Sequence, residues 1–518
     1  MKKTRPILLV APHHRSLITG LILVLVLLGA GLGVKTKIDA QTPDKASFVN
    51  STCPFKIAPG VFPSSDVRCG FLQVPENRQA APTRTIRLAV AVFKSQAPHP
   101  AAAPFIYLAG GPGSPIVTSM GSSVAAGGIP AYVGNRDLVL VDQRGTGLSR
   151  PSLMCPEFDA VGRGATKQPL SQAKAFALEH AAIRKCRARL VRAGIDLNAY
   201  NTAENAADIA DLWQALGYRQ ANVYGGSYGA RLALQVMRDH PDGVRSVVVD
   251  AVADPTFNQY NDEIPNAWRA IELVFKRCAA ASGCHAAYPH LEAMFNSTVN
   301  RLQAHPITGH ELIPKWGKIY PVKINGARFA ADMMAALYSP SLIPSLPGLI
   351  ANTFHGNNAL LFKVDAAIYG ADTGSSEGMY LSMECADDQA GSSPSRIAAS
   401  AAPIPRSIRS DAVASASDAL TLCKIWNVRS LPAVNRQLFA SAIPTLLLEG
   451  SFDPRTPPAR AQAAARKLSH GYYFEFPSLG HGVVGQGPCS DEIVSAFLTD
   501  PSRRPNANCI AKVPSVFR

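Results

Sequence analysis

Short, almost wholly apolar runs recur along this chain, most of them closed by a polar or glycine-rich loop. They lie at Phe105–Leu108, Leu138–Val141, Asn222–Tyr224, Val244–Val249, Thr445–Leu448 and Tyr472–Phe476. Too short for helices and apolar at successive positions, they predict strands buried on both faces, as in a mostly parallel sheet. Segments with helical spacing alternate with them, at Ala203–Leu216, Ala230–His240 and Ala459–Leu468. Asn201-Thr202 starts the first of these and Gly217 stops it. The alternation assigns the chain to the α/β class, with a mostly parallel sheet flanked by helices. Upstream, Cys69–Val74 and Thr85–Phe93 open with period-2 alternation and predict exposed leading strands.

From about Asp254 to Ser441 the alternation lapses. Nearly 190 residues are too many for a loop. Helical patterns at Ala267–Ala280, Leu291–Gln303 and Arg328–Tyr338 predict a large, mainly helical cap there. Pro403–Arg409 and the Ala/Ser-rich stretch 393–418 read as flexible surface within it. The expected organisation is a leader over 1–40, a core in two parts over 41–253 and 442–518, and a cap over 254–441.

Gly225-Gly226-Ser227-Tyr228-Gly229 joins a predicted strand to a predicted helix. A serine at the apex of so sharp a turn needs glycines where strand and helix approach, and its own backbone is strained. The turn lifts the hydroxyl above the carboxyl edge of the sheet, as in a nucleophile elbow. Chain order then requires an acid and a histidine further on. Asp453 lies just past the strand Thr445–Leu448, and His481, between Gly480 and Gly482, follows the last strand. The reading is Ser227 as nucleophile, His481 as general base and acid, and Asp453 orienting the imidazole. Asp453 as a helix cap and Asp250 as a rival acid are the alternatives. The short spacing from Asp453 to His481 favours Asp453. A glycine-rich loop, Ala109–Pro115, follows Phe105–Leu108. The N–H groups of Gly111 and Tyr228 are the expected oxyanion-hole donors. No G-K-[ST] follows that loop, which argues against a nucleotide site.

Gly110-Gly111-Pro112-Gly113, taken with Asp142-Gln143-Arg144-Gly145-Thr146-Gly147-Leu148-Ser149, resembles the prolyl and tripeptidyl aminopeptidase family of α/β-hydrolases. Val248–Pro255, the D-x-x-T-P from Asp453 to Pro457 and the C-x-x-W from Cys423 to Trp426 extend the match over roughly residues 50 to 515. The chain departs from the family at Ala109, where a non-catalytic histidine is common. The resemblance implies an α/β-hydrolase fold and a serine exopeptidase that needs no cofactor or metal. It also implies a peptide substrate with a free N-terminus.

At 518 residues and 47% hydrophobic, the chain can bury a large core. Part of its formal charge of +14 sits in the N-terminal leader, and no basic run with interleaved aromatics suggests a nucleic-acid partner. That leader is basic from Met1 to Arg15 and apolar from Leu17 to Val34, with Ala40 ahead of a passable cleavage point. A cleaved signal peptide is expected, with an uncleaved membrane anchor as the alternative. Either reading places the remaining chain outside the cytoplasm. The ten cysteines all lie beyond the leader, which in an exported chain favours disulfides. Sequence leaves their connectivity open; the simplest pairing joins neighbours.

An exopeptidase needs negative charge at a fixed distance from the nucleophile to hold the substrate ammonium. The cap offers Glu263, Glu384, Asp387 and Asp388. Glu384, Asp387 and Asp388, beside Cys385, are the favoured substrate-binding residues, against a plain reading as solvated acids. Two other functions stay open: a carboxylesterase or lipase using the same triad, and a non-catalytic binding module, which the intact triad disfavours.

Overall fold

The central sheet is built from β1 (Ser47–Ser51), β2 (Val67–Pro75), β3 (Thr85–Phe93), β4 (Phe105–Leu108), β5 (Leu138–Val141), β6 (Ala221–Gly226), β7 (Val244–Asp250), β10 (Thr445–Gly450) and β11 (Gly471–Phe476). A separate hairpin pairs β8 (Ile307–Ile313) with β9 (Lys318–Ile324). The computed structural model describes residues 46–517 except 81–82, 159–160, 162–170, 314, 316 and 370–373. The expected leader over 1–40 therefore lies outside the described residues. Among those described, no helix is long and apolar enough to cross a membrane.

The nine strands run in the order β1-β2-β3-β5-β4-β6-β7-β10-β11. The first three join antiparallel, as does β3 to β5, and every pairing from β5 to β11 is parallel. The leading strands are not the exposed ribbon their alternation suggests. β1, absent from the sequence reading, takes the exposed edge, so β3 lies inside the sheet and is buried from Leu88 to Phe93.

Flanking helices are α1 (Ser119–Gly127), α2 (Gln172–Arg192), α3 (Thr202–Ala215) and α4 (Tyr228–Asp239), with α14 (Pro458–Ala465) and α15 (Pro488–Thr499) after the insertion. Asn201 caps α3 by accepting from the Glu204 N–H at 3.0 Å. Alternate strand residues serve opposite layers. Val139 and Val141 join the core of Trp213 and Val236, while Leu138 and Leu140 join that of Val133 and Phe497.

Between β7 and β10 lie the hairpin and α5 (Gln259–Ala280), α6 (Ser282–Ala287), α7 (Leu291–Ala304), α8 (Gly326–Ala336), α9 (Leu346–Phe354), α10 (Ala359–Tyr369), α11 (Glu377–Asp387), α12 (Pro394–Ser400) and α13 (Arg406–Trp426). This mainly helical insertion has its own core, including Phe275, Phe295, Phe329 and Leu349. Helix α5 starts two turns earlier than its apolar pattern, where Asn258 caps it, and it runs on through Pro265. The stretch 393–418 is mostly helix rather than flexible surface, with α12 and α13 joined by a turn over 401–405: Ser393 caps α12, and the alanines of α13 have high helix propensity. The cysteines pair as neighbours: 53 with 69, 155 with 186, 278 with 284, 385 with 423 and 489 with 509.

Candidate active site

Ser227 stands between β6 and α4 with φ +58° and ψ −122°. A side chain in that region is strained by on the order of 1–3 kcal/mol and persists only where its surroundings impose it. They do so here through crowding. A Cβ at Gly225 would run into the Gly229 carbonyl, and one at Gly229 into the Leu108 carbonyl. The Ser227 N–H donates to the Asp250 carbonyl at 2.9 Å, pinning the apex to β7. Tyr228 opens α4, so its N–H has no carbonyl one turn earlier in the helix.

Asp453 and His481 follow β10 and β11, adjacent parallel strands, and meet. His481 Nδ1 lies 2.8 Å from Asp453 Oδ2, whose side chain is fully buried. Asp453 also accepts from the N–H groups of Arg455 (2.7 Å) and Thr456 (2.8 Å) and from the Thr456 hydroxyl (2.7 Å). Burial alone would raise its carboxyl, but His481 and these donors hold it below the usual carboxylate range. With Nδ1 committed to Asp453, Nε2 is left to accept a proton. Ser227 Oγ makes no hydrogen bond to a described residue. Asp250, the rival acid, instead accepts from the Val483 and Val484 N–H groups at 2.9 Å, supporting the His481 loop.

The glycine loop lies against the elbow: a Cβ on Gly110 would sit 3.0 Å from Ser227 Cβ. Gly111 has φ +112°. Gln143 Nε2 donates to the Ala109 carbonyl at 2.8 Å while its Oε1 accepts from Asn205, and Arg144 is buried against Asp208 at 2.7 Å. Asp142 receives the N–H groups of Ile116, Val117 and Leu148. The D-Q-R-G motif thus props the glycine loop from below.

Several residues around the pair escaped the sequence reading. Tyr338, from the end of the α8 pattern, packs against the His481 ring in a tilted pair, with centroids 4.8 Å apart and planes at 53°. Arg269 of α5 donates to the carbonyls of Ser451 (3.0 Å) and Asp453 (2.7 Å), clamping the acid's loop to the cap. Glu449, fully buried, accepts from the Val252 N–H at 2.9 Å, and its Oε1 lies 3.3 Å from Thr456 Oγ1, whose hydrogen goes to Asp453. Burial and then the neighbouring Asp453 charge push its carboxyl well above the usual range, which favours its neutral form. Neither an Arg on a cap helix nor a Glu inside a core strand carries a local pattern that would reveal these roles.

Glu384, Asp387 and Asp388 sit at the end of α11, retaining 7, 5 and 2% exposure, so they are not solvated acids. Arg231 of α4 reaches Asp388 Oδ1 at 2.7 Å and Asp387 Oδ2 at 3.7 Å. Thr202 Oγ1 bonds to Asp387 and lies 3.0 Å from the Tyr228 hydroxyl, linking the acids to the elbow. With the Gln259 amide nitrogen turned toward it, Glu384 accepts at 2.8 and 2.9 Å. Burial, then Asp388, pushes the Glu384 carboxyl well up; burial, only partly offset by Arg231, pushes Asp387 up to about 6. One guanidinium does not balance three carboxyls.

A cavity of about 770 Å³ opens between α5, α8 and α13. Tyr338, Pro454 and Arg455 bring its wall to the catalytic loops, and Gln259 brings it to Glu384. Glu263 lines it too, paired with Arg455.

Residues 103–488 match the family model described as the alpha/beta hydrolase fold. The chain is 22% identical over 488 residues to YuaR of Escherichia coli K12, covering 86% of this chain and 88% of that one. It is 25% identical over 408 residues to serine protease Hip1 of Mycobacterium tuberculosis H37Rv, covering 74% and 76%. To tripeptidyl aminopeptidase of Streptomyces coelicolor it is 31% identical over 197 residues, 37% of this chain and 36% of that one. An elbow serine, a buried acid–histidine pair after successive parallel strands and this match across most of the chain agree, and the chain belongs to the α/β-hydrolase fold family.

Proposed function

We propose that this protein is an exported serine exopeptidase that releases short peptides or single residues from peptide N-termini. The observation that carries the reading is the fully buried Asp453 bonded at 2.8 Å to His481, on loops beside a strained elbow serine. His481 Nε2 takes the Ser227 proton as the oxygen attacks the substrate carbonyl. The N–H groups of Tyr228 and Gly111 receive the oxyanion. His481 then protonates the leaving amine, and water, activated the same way, releases the acyl group from Ser227.

The acid cluster supports a free-amine substrate. Glu384 is the member nearest the cavity, through Gln259, while Arg231 holds Asp387 and Asp388 as scaffold. An ammonium docking there would supply the positive charge the cluster lacks. Five disulfides suit a compartment outside the cytoplasm. The largely apolar cavity also favours a second reading, a carboxylesterase with an acyl chain in that space.

The test compares a free-amine tripeptide anilide, its N-blocked twin and a short nitrophenyl ester, in wild type and Ser227→Ala. Cleavage of the free-amine anilide but not its twin, lost in Ser227→Ala, is expected. Ester turnover with both anilides inert leaves the esterase.

A further inference from the structure

Three helices of the insertion turn small side chains toward one space. Ala267 lies on α5; Ala327, Ala331 and Ala335 follow one another by a turn on α8; Ala412, Ala416 and Ala419 do the same on α13. Small residues on facing helices ordinarily let the backbones close until the gap is filled, since interiors pack without voids. Here they border about 770 Å³ instead, within the roughly 300–1,000 Å³ of sites that take drug-sized ligands. The space borders the catalytic loops, whose neighbours line it. Tyr338 in its wall packs against the His481 ring at a tilt, and Pro454 and Arg455 directly follow Asp453. The charges at that end are already matched, Arg455 with Glu263.

We infer that this cavity receives an aliphatic or aromatic side chain from the acyl part of the substrate, and that Ala331 and Ala416 set the size it accepts. The inference rests on the peptidase reading above. The alanine faces of α8 and α13 offer contact and exclusion of water but no side-chain hydrogen-bonding group, so a polar side chain lying against them loses hydration without replacement, although Gln259, Glu263, Asn325 and Asp411 also line the space. Each added methylene gains instead, until a wall is met. Replacing Ala331 on α8 or Ala416 on α13 by Phe places a ring in the same space from a different helix.

The experiment measures kcat/KM for a free-amine Gly-Gly-Gly anilide and for its variants with Leu at each position in turn. In wild type, Leu at one or more positions raises kcat/KM by roughly tenfold or more, the scale of methylene discrimination in apolar pockets. In Ala416→Phe and, separately, Ala331→Phe, that gain, read as the Leu-to-Gly ratio of kcat/KM within each variant, falls to about threefold or less. Thermal unfolding checks each variant, and Ala331→Leu substitutes for any that fails to fold. Equal rates for Leu and Gly at every position in wild type overturn the inference, as does a folded, filled variant that keeps the Leu gain. Inert anilides with active ester turnover overturn the peptidase reading itself, and the inference with it. That pattern is distinct from active anilides lacking a Leu preference, which overturns the inference alone.

Discussion

Replacing Arg231 by Met removes the guanidinium that joins the nucleophile helix to the acids of α11 and keeps a comparable apolar stem. Glu384, Asp387 and Asp388 then face one another with that charge gone. Even with Arg231 present, burial holds Asp387 at about 6 against an ordinary 3.8, a penalty of roughly 3 kcal/mol near neutral pH. Breaking a buried ion pair from one side typically destabilises by about 3–5 kcal/mol. The sign of the pH effect follows from the direction of the shift. A carboxyl whose folded pKa is raised binds its proton more tightly in the folded chain. Its penalty is absent below the unfolded value, grows as pH rises, and levels off above the folded value. Arg231→Met raises these folded values further. Urea unfolding of wild type and variant at pH 7.5 and pH 5 is the assay. The expected loss is about 3–5 kcal/mol at pH 7.5 and smaller by at least about 1 kcal/mol at pH 5. An equal loss at both pH values would refute the electrostatic reasoning and leave packing as the cause.

Glu449→Gln replaces a protonated acid by a neutral near-isostere, so the acid limb of the pH–rate profile is expected to stay in place, with kcat/KM within about threefold. A limb displaced to lower pH would mean that Glu449 is ionised and supports the imidazolium. Arg269→Met leaves the Ser451 and Asp453 carbonyls without their donor; at about 1–3 kcal/mol for each unpaired buried group, thermal unfolding should report a marked loss. Its kcat/KM should fall, because the loosened loop carries Asp453 and also brings Pro454 and Arg455 into the cavity wall. Gly229→Ala forces a Cβ against the Leu108 carbonyl, and the expected result is loss of both turnover and fold, read by activity and circular dichroism together.

The core of this protein was legible because its signals are local. Parallel strands buried on both faces read as apolar runs, and the elbow needs glycine at positions where a Cβ has no room, as Gly225 and Gly229 bear out. Asp453 and His481 were readable for the same reason: each follows a strand directly, and strand order brings the two together. β1 was not legible, since Ser47–Ser51 has no apolar face and is held by pairing with β2. The stretch 393–418 misled in the other direction, because alanine and serine favour both exposed chain and a helix that lines a void. Arg269, Glu449 and Tyr338 act across long sequence separations, where side-chain type says nothing of the partner. The acids of α11 were visible as residues, but their pairing with Arg231 came only from the packing of α4 against α11.

The claim on which the rest depends is that Ser227 carries the acyl group. Wild-type protein turning over a free-amine tripeptide anilide is quenched in acid within a few turnovers, digested and mapped by mass spectrometry. The expected result is an acyl adduct on the peptide containing Ser227, absent in Ser227→Ala. An adduct on another residue, or steady turnover that persists in Ser227→Ala, would contradict it.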